Sequence, residues 1–303
     1  MAIVAKKSER GMILLLTILI TAVLTATVVE YNYDANLNVD IAENYKNKMK
    51  ASYLAKSGIR FVKVYLSSDL EGFIAEGFSD YKQLFYGKPI PVGSGFISIT
   101  LKSEEGKINL NKIVSSEIVR DQFITLIEGL EIDASIYYSI VDWIDKDDDV
   151  FENAGAESLY YETLQNPYQC KNAKLESMEE LRLIKGIDDE VYKKLKDNCT
   201  IYSNGLININ EASKDVLMSL SEDMTEFDVN KIIEDRKEEG EYESIDELSY
   251  LGELYNDIKK KITTESKSYK ITSVGIVDEI SYKITNVVTK GKKSTKLLYS
   301  KEE

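Results

Sequence analysis

A chain of 303 residues is long enough for one to three domains and a sizeable core. Its 38 Lys and Arg against 52 Asp and Glu give a net charge of −14, which repels nucleic-acid phosphates and attracts cations over most of the chain. Histidine is absent and Cys170 and Cys199 are the only cysteines, which excludes a histidine base, an all-cysteine zinc centre and an iron–sulfur cluster within one chain.

The uncharged run at residues 12–29 is about 27 Å long as a helix, close to the thickness of bilayer hydrocarbon. Lys6, Lys7 and Arg10 precede it and acidic sequence follows, so the N-terminus is expected in the cytoplasm and everything beyond Glu30 outside. Ala22 and Ala26 do not form the small-x-small site of a discarded secretion signal. The run therefore reads as a single-pass anchor, with a discarded signal or a buried core helix as alternatives. Arg10-Gly11 directly before it resembles the type IV prepilin signal, in which a dedicated peptidase cuts after glycine and the retained helix is methylated. That resemblance implies that residues 1–11 leave and that Met12 begins the mature chain. The fifth mature position, glutamate in most pilin-like proteins, is Leu16.

Residues 41–66 lack proline, and Leu54, Ala55, Ile59 and Val62 recur at helical spacing between charges such as Lys48, Lys50 and Lys56. The spacing predicts that the anchor runs on into an amphipathic spine; the alternative is a separate helix after a loop at residues 32–38. Residues 67–95, with Pro89 and Pro91, read as loop. Ile97, Ile99 and Leu101 then alternate with Ser98, Thr100 and Lys102, the pattern of a half-buried strand. Helical signals fill residues 109–264, and strands return at 269–274, 282–288 and 297–299, with a hairpin turn at 290–293. Three short strands alone support a sheet poorly, so the flanking strands are expected to pair in one sheet. The fold expected is an α+β domain interrupted by an all-α insertion.

Within the block, residues 181–195 resemble a helix–hairpin–helix unit, with Gly186 supplying the tight turn. Leu206-Ile-Asn-Ile-Asn-Glu-Ala-Ser213 follows, with Asn210 or Ser213 as the next N-cap. Lys107-Ile-Asn-Leu-Asn111 echoes it and hints at a duplicated module. Such units often bind DNA backbones, through Lys185, Lys193 and Lys194 here, but Asp188, Asp189 and Glu190 oppose phosphates and favour a protein–protein role.

Residues 141–157 crowd Asp142, Asp145, Asp147, Asp148 and Asp149 among Trp143, Ile144 and Phe151. Carboxylates held together on a packed loop need a cation, and many hard oxygens favour calcium; a solvated acidic loop is the alternative. This is no EF-hand, since Val150 replaces the turn glycine and Ala156 the bidentate glutamate. Paired carboxylates also admit glycoside hydrolysis, but no substrate cleft can be read beyond Trp143 and nearby tyrosines.

The series Ile-Asn-Leu-Asn, Asp-Trp-Ile-Asp-x-Asp, Gly-Ala-Glu-x-x-Tyr-Tyr, Glu-Leu-Arg-Leu-Ile-Lys-Gly-Ile and Ile-Asn-Ile-Asn-Glu-Ala resembles general secretion pathway protein K, the large minor pseudopilin of type II secretion. Leu16 fits, because this family lacks the usual glutamate. The resemblance implies a type IV pilin-like long helix and antiparallel sheet, interrupted by SAM-like helical units. It implies these divisions: leader 1–11, transmembrane helix 12–30, pilin-like helix and first strands 31–107, helical insertion 108–265 and returning strands 266–303. It also implies a non-enzymatic, calcium-stabilised subunit of the inner membrane at the tip of a periplasmic pseudopilus. Its partners would be the I- and J-type minor pseudopilins, the major pseudopilin and the prepilin peptidase, with exoprotein cargo or the secretin beyond; no nucleic acid is expected. Carried over by motif, Asp142, Asp145, Asp147 and Glu157 are the calcium ligands, Asp149 is added on chemistry, and the role of Asn172 stays open. The rival reading is a DNA-binding or adhesive tip protein of a type IV pilus or competence system. In an oxidising periplasm Cys170 and Cys199 are expected to bridge, adding about 3–4 kcal/mol, against the alternative of two buried free thiols.

Overall fold

The computed structural model describes residues 2–67, 84–291 and 294–303, with side chains from residue 11 onward. Helix α1 (Ala2–Ser67) is unbroken for 66 residues, about 100 Å. Its sequence offers no proline, and residues 32–38 stay inside it, so no loop separates anchor from spine. Polar side chains in the apolar run return to the helix's own carbonyls: Thr21, Thr25 and Thr27 donate to Thr17 O, Thr21 O and Val23 O. These groups need no water, which is what a lipid environment requires.

The two halves of α1 meet different surroundings. Met12 is 70% exposed and its apolar neighbours are similarly bare, whereas Ala51, Ala55, Ile59, Val62 and Leu66 form a buried stripe at steps of three and four. That stripe lies on an antiparallel sheet ordered β1 (Ile90–Val92), β2 (Gly95–Ser103), β7 (Ser268–Val277), β8 (Ile280–Lys290) and β9 (Thr295–Glu302). Ile97, Ile99, Ile271, Ile284 and Val288 complete this core. Contact is close enough that a Cβ on Gly275 would stand 2.0 Å from Ala51 O, so only glycine admits the helix against β7. The loop expected at 67–95 is corrected in part: β1 forms at its end, an edge position that tolerates Pro91, and Phe85 packs into the core. Residues 68–83 lie outside the described residues.

β2 pairs with β7, Ile99 opposite Ser273, so the strands that flank the helical block share one sheet. The crossing is fastened by Glu104 N donating to Ser268 O (2.9 Å) and by the buried Glu105 carboxylate accepting Ser268 N at 3.0 Å. Everything between has a separate core.

That core is built from two repeats of one module. Module 1 opens on β3 (Ile108–Asn109), runs through α2 (Glu117–Gly129), α3 (Ser135–Ile144), α4 (Ser158–Tyr161), a 3-10 helix (Met178–Leu183) and α5 (Asp189–Asn198), and closes on β4 (Cys199–Thr200). Module 2 opens on β5 (Ile207–Asn208), runs through α6 (Lys214–Met218), α7 (Glu226–Glu238), a 3-10 helix (Ile245–Leu251) and α8 (Glu253–Ile258), and closes on β6 (Ile262–Thr263). Each is tied end to end by a parallel two-residue ladder, Ile108 to Cys199 and Ile207 to Ile262. These ladders correct the all-α expectation for the block; strands this short leave no period-2 signal to read.

The asparagines show why the motif repeats. Asn109 Oδ1 accepts Asn111 N and Asn208 Oδ1 accepts Asn210 N, both at 2.9 Å. Asn111 then pairs with both backbone groups of Leu175 (2.7 and 2.9 Å), and Asn210 does the same with Tyr242 (2.8 and 3.0 Å). Each clamp leads into a capping box, Ser177 with Glu180 and Ser244 with Glu247. Ser213, not Asn210, is therefore the N-cap of α6, accepting Val216 N. Gly186 makes the hairpin turn of module 1 at φ +84°.

Candidate cation site

Helix α3 is apolar on nearly every side, burying Ile136, Ile140, Val141, Trp143 and Ile144, so the one acid in that run is carried inside with them. Asp142 is 0% exposed. Its Oδ1 accepts Phe151 N at 3.0 Å, and the loop folds over it so tightly that a Cβ on Gly155 would stand 2.0 Å from Oδ2. Asp145 caps the helix, and Asp147 Oδ1 accepts Asp149 N in the turn that follows. Glu157, 2% exposed, enters from the far end of the loop. Asn172, at φ +46°, comes from a third segment, its Nδ2 donating to Asp147 O and Asp148 Oδ1 at 2.9 Å each.

Packing holds these pieces from outside. Trp143 stands edge-on to Tyr161 (5.2 Å between centroids), and Tyr161 stacks on Tyr168 (5.2 Å). Lys185, on the hairpin, donates to Gly155 O at 3.0 Å and lies 5.1 Å from the centre of the Tyr160 ring.

What remains unmatched is oxygen. Asp142 Oδ2, Asp145 Oδ1, both Glu157 oxygens and Asn172 Oδ1 are buried and accept no hydrogen bond. Burial raises the Asp142 pKa. Burial, then repulsion from Asp147 and Asp142, pushes Asp145 up to about 6. Burial, then repulsion from Asp142, pushes Glu157 up to about 7. Several buried acceptors without donors cost free energy that protons or a cation would recover. A set of carboxylate and amide oxygens without sulfur or imidazole suits a hard ion such as calcium. The oxygens are gathered but not closed into a shell: among the described residues no three acidic or cysteine side chains converge on one ion.

Asp142, Asp145 and Glu157 thus come together, with Asp147 exposed in the adjoining turn. Asp149 is exposed like Asp147, donates its backbone N–H to Asp147 Oδ1, and lines a surface hollow with Asp145 and Asp147. Spacing does not assign Asn172 and Lys185 to the site, because their approach depends on a chain reversal. The expected Cys170–Cys199 bridge is not formed. Both thiols are free and buried, Cys170 Sγ lying 3.4 Å from Asp142 O and Cys199 sitting in β4. Gly11 and Met12 lie within unbroken helix, Met12 exposed. Of the hairpin lysines, Lys185 donates to Gly155 O and Lys194 to Leu130 O, Lys194 also pairing with Glu190 at 3.2 Å, while Lys193 is exposed.

Two family models, both described as type II secretion system (T2SS), protein K, match residues 106–204 and 207–265, together just over half of the chain. Their boundaries fall at the junction of the two modules. Type II secretion system protein K of Aeromonas hydrophila is 25% identical over 230 residues, spanning 67% of each chain. The protein of the same name from Pseudomonas aeruginosa is 23% identical over 263 residues, 82% of this chain and 79% of that one. Among solved structures, the GspK–GspI–GspJ complex from the enterotoxigenic Escherichia coli type 2 secretion system contains a chain that superposes with a TM-score of 0.65. The match covers 89% of this chain and 99% of that one at 21% identity, a likeness of fold.

Proposed function

The chain belongs to the type II secretion system protein K family, and from that premise we propose that it caps a periplasmic pseudopilus as its minor tip subunit and assists protein export across the outer membrane. The observation that carries this reading is α1, whose bare apolar half is shaped for lipid or for the helices of neighbouring subunits while its other half is committed to the head. Leu16 supports the tip position, since a subunit with no neighbour above it has no amine for a glutamate to pair with. Processing after Gly11 by a prepilin peptidase would free Met12 for methylation and leave the helix anchored in the inner membrane until assembly. The related chain crystallised with GspI and GspJ, so the partners proposed here are I- and J-type minor pseudopilins, with the major pseudopilin below.

In this reading the acidic site takes calcium. Asp142, Asp145, Glu157 and Asn172 offer the unpartnered oxygens, and Asp147 adds charge from the adjacent turn. The bound ion would supply the positive charge that fixes residues 145–174 onto α3; the chain's own part is to hold the oxygens and exclude water.

Co-expression with two smaller pseudopilins and an active prepilin peptidase tests the proposal. The expected product is a heterotrimer in which this chain begins at Met12. A monomer under those conditions would remove the tip role, and an intact Met1 would remove the processing.

A further inference from the structure

A second site lies where the two modules meet, away from the acidic loop. Helix α2 of module 1, the loop after α6 and the end of α8 line an open cavity of about 430 Å3. Asp121, Glu222, Asp223 and Asp257 line it, against one basic side chain, Lys261. That lysine is already engaged, 2.9 Å from Asp257 Oδ2 and 2.7 Å from Leu220 O. Asp121 pairs with Arg120 at 3.0 Å, while Glu222 and Asp223 have no basic partner among the described residues.

An acidic rim alone would be solvated surface. The wall, however, includes Gln122, 2% exposed, whose Oε1 and Nε2 both lack a hydrogen-bond partner. Turning the amide over changes nothing, because both atoms are orphaned. Val119, Phe123 and Leu126 are its buried neighbours on α2, where an aliphatic residue would pack without that cost. A bare metal ion would satisfy the amide oxygen and leave the N–H2 group stranded, and no three acidic side chains converge on one ion among the described residues. A peptide meets both needs. A guanidinium can donate to carboxylates and to the amide oxygen at once, and a main-chain carbonyl beside it can accept from Nε2.

We infer that the cavity between the modules is a docking socket for an arginine-bearing segment of a partner protein. Because α2 belongs to one module and the other walls to the second, a seated segment braces the two against each other. The inference stands apart from the calcium reading, so the test keeps calcium constant.

Full-length chain in detergent micelles is titrated into a fluorescein-tagged Gly-Arg-Gly amide, followed by anisotropy. Saturable binding is expected, weakened about tenfold or more by joint Glu222→Lys and Asp223→Lys substitution. Gln122→Leu should weaken it about tenfold as well while leaving the thermal midpoint unchanged or raised, since it removes the orphaned amide. Absence of saturable binding, undiminished affinity in either variant, or equal binding of a citrulline peptide would overturn the proposal.

Discussion

Modules 1 and 2 share their ladders, asparagine clamps and capping boxes, yet they differ in how the chain travels from the second long helix to the clamp. Module 2 covers that distance with residues 239–241; module 1 spends residues 145–174. Aligning the helices by their buried positions, Ile136 and Ser139 with Val229 and Ile232, sets Asp142 opposite Asp235. Asp235 accepts from Tyr242 Oη at 3.2 Å and faces Lys231 at 3.5 Å. Asp142 has a buried oxygen with no donor. The scaffold therefore closes without a buried, unmatched acid. Module 1 keeps one, and the loop that gathers Glu157 and Asn172 around it is the part module 2 lacks.

Chelation is the largest lever on that contrast. An ion at a hundredfold excess over its Kd adds about 2.7 kcal/mol to the state that binds it. For a head of this size that is about 5–10 °C in the thermal midpoint. Removing calcium should lower the midpoint by that amount, and hydrogen exchange should show protection lost in α3 and residues 145–174 but kept in α7. Equal loss in both modules would erase the distinction; no loss anywhere would remove the ion.

Shared features should respond alike. Asn111→Ala and Asn210→Ala each strand two backbone groups, on Leu175 and on Tyr242, and each should cost about 2 kcal/mol in denaturant melts. A variant that is costly in one module and silent in the other would show that the repeat is sequence echo without common mechanics.

How much of this is legible in the sequence follows the range of the interaction. The helix stripe at Ala55, Ile59 and Val62 and the alternation at Ile97, Ile99 and Leu101 are local periodicities, and both elements stand where the pattern puts them. The repeat is visible as two Ile-Asn-x-Asn strings, but its meaning, a side chain gripping residues 64 and 32 positions away, needs coordinates. Aspartate crowding marks the loop. Burial then sets Asp142 and Asp145 apart from the exposed Asp149, and the fold brings in Asn172, which no spacing rule assigns to residues 24 and 25 positions earlier.

Acidity offers a gentler probe, best run on the ion-free chain. Asp145 at about 6 and Glu157 at about 7 lie above the ordinary 3.8 and 4.5, so the folded state binds these protons more tightly than the unfolded one. Stability of the ion-free chain should therefore rise as pH falls from about 7 toward 4, through relief at the module 1 cluster. Calcium should reverse the trend, because protons and the ion compete for the same oxygens. Glu157→Gln should flatten the upper part of the ion-free rise, and an unchanged slope would place the titration elsewhere.

The smallest expected effect is none. A bridge between the acidic-loop cysteine and the ladder cysteine would tie the insertion of module 1 to its closing strand, and reduction would then loosen the insertion. The structure instead engages each thiol locally: Cys170 Sγ contacts Asp142 O, and Cys199 pairs with Ile108 through its backbone. Burial pushes both thiols up to about 12, which leaves little thiolate to start an exchange even in an oxidising compartment. Dithiothreitol should leave the thermal midpoint where it was, and mass spectrometry under denaturing, non-reducing conditions should count two alkylatable thiols. A midpoint that falls on reduction would mean that the insertion is stapled to the ladder covalently, and the stability proposed for the cation would have to be divided between the two.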